Sequence, residues 1–234
     1  MDYIHYSEKI FQDWLNNNIS DRDSLSKLFQ MDYAPEPYFE VKKGSKSIYM
    51  LLTNPGSGMD FQHRKEFSSK SNYGAFQDIL SDIYLSEEFK EKGGLNAYRR
   101  LKKAIDFAYY LDYNGLINIE TIPFHSERLD KAKAIQAINS ISILNEYVKY
   151  LKEFLEAKPC LVVSACSSKE TISIDSIKNS AWLSLQADLV SFNLDNYTMK
   201  TLTEKNGKVS SAMFVSANKY FVLMMGSNNL PTLK

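Results

Sequence analysis

The sequence predicts an α/β fold, a three-layer α/β/α sandwich with a mainly parallel central sheet. Short apolar runs bounded by glycine or proline alternate with longer amphipathic segments, which is the pattern of buried strands separated by helices. Parallel neighbours need long crossover connections, and helices supply them. The chain has 234 residues, of which 44% are hydrophobic, so we expect one domain over residues 1–234 with a substantial core.

The first elements are a helical cap and a central strand. Residues 8–29 carry apolar side chains at helical spacing, interrupted at residues 16–20, so we predict that residues 1–45 form an N-terminal helical cap over the sheet. The apolar run 47–53 is too short for a helix and ends at a proline, which predicts the first buried strand.

The middle of the chain continues the alternation. An amphipathic helix is predicted from Tyr98, and its polar side includes Arg99 and Arg100, which we interpret as a solvent face or, alternatively, as phosphate contacts. A strand at 116–122, a long helix at 130–156 and a strand at 160–165 follow. Asn206-Gly207 then predicts a hairpin insertion at 196–217, before a final strand at 220–225.

Charge and composition exclude several classes of protein. The 28 basic residues equal the 28 acidic ones, so the net charge lacks the excess typical of a strong nonspecific nucleic-acid binder. The two cysteines and three histidines show no metal-ligand spacing, and the glycines match neither a phosphate loop nor a dinucleotide fingerprint, so we expect no metal and no cofactor. The lack of a signal peptide or an apolar run of membrane-spanning length favours a cytoplasmic protein without membrane contact.

Three of the loops that follow predicted strands have unusual compositions. In open α/β sheets ligands bind beyond the carboxyl ends of the strands, so these loops should share one rim. Glycine allows close backbone approach, and asparagine or serine forms hydrogen bonds without charge, which suits a flat polar ligand. Ordinary strand-ending turns are the alternative for any single loop. The three loops are Asn54-Pro55-Gly56-Ser57-Gly58, Pro123-Phe124-His125-Ser126 and Gly226-Ser227-Asn228-Asn229.

These loops resemble the signature motifs of the uracil-DNA glycosylase superfamily. The resemblance rests on three segments, which are Thr53-Asn54-Pro55-Gly56, Glu120-Thr121-Ile122-Pro123-Phe124 and the small polar turn after the last strand. The nearest branches are the single-strand-selective and mismatch-specific ones, whose first motif is Asn-Pro-Gly. The resemblance implies a DNA N-glycosylase that flips a nucleotide out of the duplex.

The resemblance also assigns roles to individual residues. Asn54 would position the attacking water, and Glu120 would read the Watson–Crick edge of the flipped base. The aromatic ring of Phe76, which follows Asn72, resembles the one that stacks on the base. The remaining residues of the implied substrate site are Gly56, Phe124, Ser227 and Asn228.

Two departures from the family pattern affect the expected activity. The usual base reader is an amide, whereas an ionised Glu120 can only accept hydrogen bonds, so uracil should be rejected unless burial protonates the carboxyl group. Gly226 replaces a histidine that stabilises the leaving base, and His125 on the neighbouring loop is the candidate substitute.

Two functions therefore remain open, both with DNA or a nucleobase-containing ligand as the partner. The first is a glycosylase-like enzyme acting on a base other than uracil, and the second is a binding module that has lost catalysis. A small-molecule hydrolase using Ser126 or Ser164 ranks last, because neither serine lies in a Gly-x-Ser-x-Gly elbow.

Overall fold

The computed structural model describes residues 1–67, 72–166, 171–225 and 230. The strands are β1 (Tyr38–Lys42), β2 (Ser47–Leu52), β3 (Gly115–Glu120), β4 (Cys160–Cys166), β5 (Thr198–Lys205), β6 (Lys208–Ser216) and β7 (Lys219–Met225). The helices are α1 (Tyr3–Leu15), α2 (Arg22–Leu25), α3 (Arg64–Phe67), α4 (Tyr73–Tyr84), α5 (Glu87–Phe89), α6 (Leu95–Tyr110), α7 (Lys131–Ser140), α8 (Ser142–Leu155), α9 (Ile174–Lys178) and α10 (Ala181–Leu189).

One mixed sheet of seven strands, in the order β1-β3-β2-β4-β7-β6-β5, forms the middle layer. The four central strands, β3, β2, β4 and β7, are parallel, whereas β1 on one edge and β6 and β5 on the other are antiparallel to their neighbours. Helices α4 and α6 pack against β1, β2 and β3. The chain therefore has the predicted α/β class, with a parallel centre and antiparallel edges.

Successive side chains of β2 point to opposite faces of the sheet, and their contacts show which helices cover each face. The ring of Tyr49 contacts that of Phe154 on α8, with centroids 5.7 Å apart. Leu52 is three residues further along the strand, so its side chain points to the other face. That face is covered by α6, because Leu52 and Arg100 of α6 line the same cleft. Helices α1, α7 and α10 pack with α8.

The structure corrects two of the predicted elements and contains the third. Residues 1–45 do not form only a helical cap, because β1 lies within them. The alternation of buried and exposed residues in β1 extends over only five residues, and the strand is stabilised by its pairing with β3. The predicted helix 130–156 is two helices, since Ile141 has the extended dihedrals φ −103° and ψ 116° while the apolar spacing continues across it. The predicted hairpin exists, with Asn206 and Gly207 at φ 53° and 70°, and it is an antiparallel element attached to the main sheet through the pairing of β6 with β7.

Lys219, at the start of β7, closes the carboxyl end of α8. Its Nζ donates hydrogen bonds to the carbonyl oxygens of Leu155 at 2.7 Å and Glu156 at 2.9 Å, and also to that of Lys158. The last carbonyls of a helix have no partners within the helix, so an external donor is needed when they are buried. Lys219 is itself buried and thereby ties α8 to the sheet.

Replacing Lys219 with methionine should destabilise the fold. The change keeps the aliphatic stem but removes the ammonium donor from three carbonyl groups, which should lower the free energy of unfolding by about 1–3 kcal/mol. Urea unfolding followed by circular dichroism measures it. Lys205→Met, on exposed β5, is the matched control and should unfold like the native protein. Equal stability of the two variants would remove this role from Lys219.

Candidate functional site

The loops that follow β2 and β3 are held together by backbone hydrogen bonds. The amide of Ile122 donates to the carbonyl oxygen of Thr53 at 3.0 Å, and the amide of Ser126 donates to that of Gly56 at 2.8 Å. These bonds continue the pairing of the two parallel strands beyond their ends. The Asn-Pro-Gly loop therefore lies against the loop that begins after Glu120.

The segment between α2 and β1 supports the second loop from its other side. The amide of Gln30 donates to the carbonyl oxygen of His125, and that of Glu36 to the carbonyl oxygen of Pro123, both at 2.8 Å. Residues 121–126 are all buried. A buried loop is stable only when its backbone polar groups have partners, and here partners come from both sides.

Asn54 connects the two loops through its side chain. Its Nδ2 donates to Ser126 Oγ at 3.0 Å and to the carbonyl oxygen of Phe124 at 3.3 Å. These bonds fix which end of the amide is the nitrogen. Among the described residues no group donates to Asn54 Oδ1, so this acceptor is available to a water or a ligand.

The two glycines of the loop meet different requirements. Gly56 has φ 84°, a left-handed conformation that side chains disfavour, and its carbonyl oxygen accepts hydrogen bonds from the Ser126 amide at 2.8 Å and His125 Nδ1 at 3.2 Å. Gly58 lies against the ring of Tyr33, where a Cβ atom would be 2.1 Å from the ring Cγ. One glycine is required by backbone conformation and the other by close packing.

His125 lies behind the loop and not in the cleft described below. It is fully buried, and its Nδ1 must carry the proton because the carbonyl oxygen of Gly56 can only accept. Its Nε2 is 3.4 Å from Oε1 of Glu36, a buried carboxylate that also accepts hydrogen bonds from Gln62 and, at 2.8 Å, from the hydroxyl of Tyr84. His125 was predicted to contact the leaving base; the structure instead commits it to anchoring the loop.

A cleft of about 550 Å³ opens between the Asn-Pro-Gly loop and the start of α6. Leu52 and Val163, near the carboxyl ends of β2 and β4, lie at its base, and residues 53–57 form one side. The other side includes Gly93, at φ 104°, and Arg100. Gly93 belongs to a kinked segment, Lys90–Gly94, that joins α5 to α6 and in which Lys92 and Gly93 have non-helical dihedrals. The cleft thus lies at the edge of the sheet where the sequence places the rim.

Glu120 lies beside the base of this cleft. It is 3% exposed and is the Cα partner of Leu52, so its side chain projects from the same face of the sheet. Asn118 Nδ2 donates to Oε1 at 3.0 Å, while Oε2 has no hydrogen-bond partner in the part of the chain that the structure describes.

The burial of Glu120 determines its protonation. The pKa of the carboxyl group is raised to about 8, mainly by burial and in smaller part by the Glu36 carboxylate, against the hydrogen bond from Asn118 and the charge of Arg100. At neutral pH most molecules therefore carry a protonated Glu120, which can both donate and accept. Of the two alternatives considered for this residue, the structure supports protonation by burial and not an ionised, acceptor-only group.

Arg100 projects from α6 into the cleft and is half-buried. Its Nε is buried without a partner, and no described carboxylate lies within 4.0 Å of its guanidinium group. Burial lowers the pKa of Arg100, but a guanidinium group stays charged at neutral pH. The interpretation of Arg100 as part of a solvent face was wrong, because α6 directs it inward while Arg99 is exposed.

Two predicted aromatic contacts are absent from the cleft. Phe76 is 1% exposed and stacks on Phe11 with ring centroids 5.1 Å apart. Phe124 is also 1% exposed and packs against Phe29 at 5.9 Å. Both rings are core residues and neither lines the cleft, so they are not available for stacking on a base. The predicted residues Ser227 and Asn228 lie outside the described residues.

Of the predicted residues, Asn54 and Gly56 line the cleft, and Glu120 lies beside Leu52 at its base without lining it; other residues of the cleft were missed by sequence reasoning. Gln62, Tyr84 and Arg100 line the cleft, and Glu36 lies behind it. Glu36 stands between two prolines, which gave no sign that it is buried. Arg100 was recognised only as a member of a basic group, since helical periodicity does not distinguish a cleft from solvent.

Comparison with models of protein families, with curated proteins and with solved structures found no match. Across residues 1–67, 72–166 and 171–225, no helix is both long and apolar enough to cross a membrane. Within the same part of the chain, no three or more His, Cys, Asp or Glu side chains are grouped so as to hold a metal ion. The function must therefore be argued from the cleft itself.

The titration of Glu120 should appear in the stability of the protein. An unfolded glutamate ionises near pH 4.5, but the folded one does so near pH 8, so between these values the folded state holds one more proton. Stability should fall as pH rises through this window, by up to about 1.4 kcal/mol per pH unit, and level off above it.

Glu120→Gln tests this titration because glutamine cannot ionise. Relative to the native protein, the variant should gain stability steadily from pH 5 to pH 8 in urea unfolding. Glu153→Gln, an exposed glutamate on α8, should run parallel to the native protein. If Glu120→Gln also ran parallel, Glu120 would titrate as an ordinary surface carboxylate.

Proposed function

We propose that the cleft binds a nucleobase-containing ligand. The observation that carries this proposal is Glu120, a buried and mainly protonated carboxyl group whose Oε2 has no described partner beside the base of the cleft. A protonated carboxyl group presents a donor and an acceptor side by side in one plane. Adjacent donors and acceptors are what the edge of a nucleobase displays, so Glu120 resembles the amide that reads bases in the glycosylase superfamily.

The surroundings of Glu120 support a ligand of this size. A volume of about 550 Å³ is typical of a small-molecule site, and its place at the carboxyl ends of parallel strands is where such folds bind ligands. Gly56 and Gly93 line the cleft, and no atom lies within 4 Å of where their Cβ atoms would be. The backbone can therefore approach a ligand closely from both sides.

The charges at the rim favour a small ligand over a long nucleic acid. Lys90 and Lys92, beside the cleft, are paired with Glu87 and Glu88. Nucleic-acid affinity depends on cations free to neutralise successive phosphates. The described part of the rim offers no such row, which favours a free nucleobase compound as the ligand.

A second candidate function, hydrolysis of an N-glycosidic bond in DNA, is favoured by Asn54. Its amide is fixed by two hydrogen bonds, and its Oδ1 is left as an acceptor for a water. In this reaction the water oxygen bonds to the anomeric carbon while the electron pair of the glycosidic bond leaves with the base, which takes up a proton. Asn54 would hold the water in position, which is the role of the motif asparagine in the families whose Asn-Pro-Gly motif this loop resembles.

Nucleoside binding should depend on the side chain of Glu120. Glu120→Gln keeps a planar donor and acceptor and should bind within about threefold of the native protein, whereas Glu120→Ala should lose at least about tenfold, because the buried edge of the base loses its partner. Titration calorimetry with the four common nucleosides and uridine measures this. Glu153→Ala is the exposed control. Full binding by Glu120→Ala, or no binding of any nucleoside by the native protein, would contradict the proposal.

Release of a free base tests the second candidate. Oligonucleotides containing uracil, hypoxanthine or a mismatched thymine are incubated with the protein, and the released base is measured by chromatography. Asn54→Ala should lower release by about 100-fold or more, while Asn145→Ala, an exposed amide on α8, should leave it unchanged. Circular dichroism verifies that both variants fold. Nucleoside binding without base release from any oligonucleotide would leave only the binding function.

A further inference from the structure

The guanidinium group of Arg100 is a charged group in the cleft that the binding of a nucleobase by Glu120 does not use. Its Nε is buried and has no hydrogen-bond partner among the described residues, and the ion pairs found in the described chain do not include it. A half-buried cation without a counter-ion is costly, because it has lost part of its hydration and gained no opposite charge. An anion bound in the cleft would lower the free-energy cost of this uncompensated charge.

The acidic groups around Arg100 do not neutralise it. Glu120 is near enough to act on it electrostatically but is mainly protonated at neutral pH. Glu36 accepts hydrogen bonds from Gln62 and Tyr84 and faces His125.

The other cation that lines the cleft has an acidic partner. Lys92 also lines the cleft but is paired with Glu88. Arg100 is therefore the one cation of the described cleft with no acidic partner.

The backbone around Arg100 adds positive potential to the same space. The first residues of α6, including Ala97, line the cleft, and Gly94 at the N-cap position makes no side-chain capping bond. The amino end of a 16-residue helix carries a partial positive charge that favours anions. The amino end of α6 and Arg100 thus present positive charge from the same side of the cleft.

We propose that Arg100 binds a phosphate group of the ligand, so that the cleft takes a nucleotide in preference to the corresponding nucleoside. The proposal deepens the proposed function and rests on it for the identity of the base-bearing part. A phosphate supplies two oxygens at the spacing of the guanidinium fork, and its charge compensates the half-buried cation, which a neutral base carbonyl would not do. Glu120 and Arg100 then divide the ligand between them, the first taking the base and the second the phosphate.

The protonation of Glu120 should regulate this anion site. Five titratable groups interact electrostatically with Glu120. Arg100 does so from α6, Tyr84 from α4 and Glu36 from the segment before β1. Tyr3 on α1 and Tyr147 on α8 complete the set. Burial raises the pKa values of these three tyrosines, so they stay neutral. As pH rises through about 8, Glu120 ionises, repels the phosphate and competes for Arg100. Anion affinity should fall over this range.

Calorimetric titration of nucleoside 5′-monophosphates against the matching nucleosides tests the proposal. The native protein should bind the monophosphate about 10- to 100-fold more tightly than the nucleoside, and Arg100→Gln should abolish this difference. Arg99→Gln removes the same charge from the exposed neighbouring position and should keep the preference. Thermal unfolding shows that each variant is folded.

Sulfate is the probe for the pH dependence, because its charge is constant from pH 6 to pH 9. Sulfate should protect the native protein against thermal unfolding less at pH 9 than at pH 7, and Glu120→Gln should remove this loss. Protection that is equal in the native protein and Arg100→Gln would overturn the proposal.

The outcomes separate the failure of this inference from that of the proposed function. Equal affinity for nucleoside and monophosphate, unchanged by Arg100→Gln, would overturn the phosphate site and leave nucleobase binding in place. Sulfate binding that requires Arg100, without binding of any nucleoside or nucleotide, would support the anion site and refute the nucleobase ligand.

Discussion

The structure of the site depends on the buried loop at residues 121–126. A loop inside a protein cannot use water for its backbone groups, so its partners must come from the surrounding chain. Here the Asn-Pro-Gly loop supplies them on one side and the segment before β1 supplies them on the other. The positions of Asn54 and Gly56 follow from this requirement, since both are held by hydrogen bonds to the buried loop.

Two buried glutamates near this loop illustrate how partners determine chemistry. Glu36 accepts hydrogen bonds from Gln62 and Tyr84 and has the imidazole of His125 3.4 Å away. Glu120 accepts one hydrogen bond, from Asn118, and the burial of the rest of its carboxyl group raises its pKa to about 8. The same residue type thus serves as a structural acceptor in one place and as a mainly neutral group with one unpartnered oxygen in the other.

The chemistry of the cleft is set by a neutral carboxyl group, Glu120, and a cation without an acidic partner, Arg100. If Glu120 were ionised it would compensate Arg100, and the cleft would hold an internal charge pair with little to offer a ligand. Because desolvation keeps Glu120 mainly protonated, neither its Oε2 nor the Arg100 guanidinium group uses the other as a partner in the described chain.

The sequence by itself determined the α/β class, the central strands, the hairpin and the rim at which the Asn-Pro-Gly loop lies, because apolar periodicity and turn residues are local properties. It did not identify β1 or the break at Ile141, since edge pairing and a single extended residue leave no distinct local pattern. Only the tertiary structure placed Phe76 and Phe124 in the core and His125 behind the loop, and only it brought Arg100 to Glu120. Burial and electrostatic coupling depend on residues far apart in the chain, and the pKa of Glu120 exists only where those residues meet.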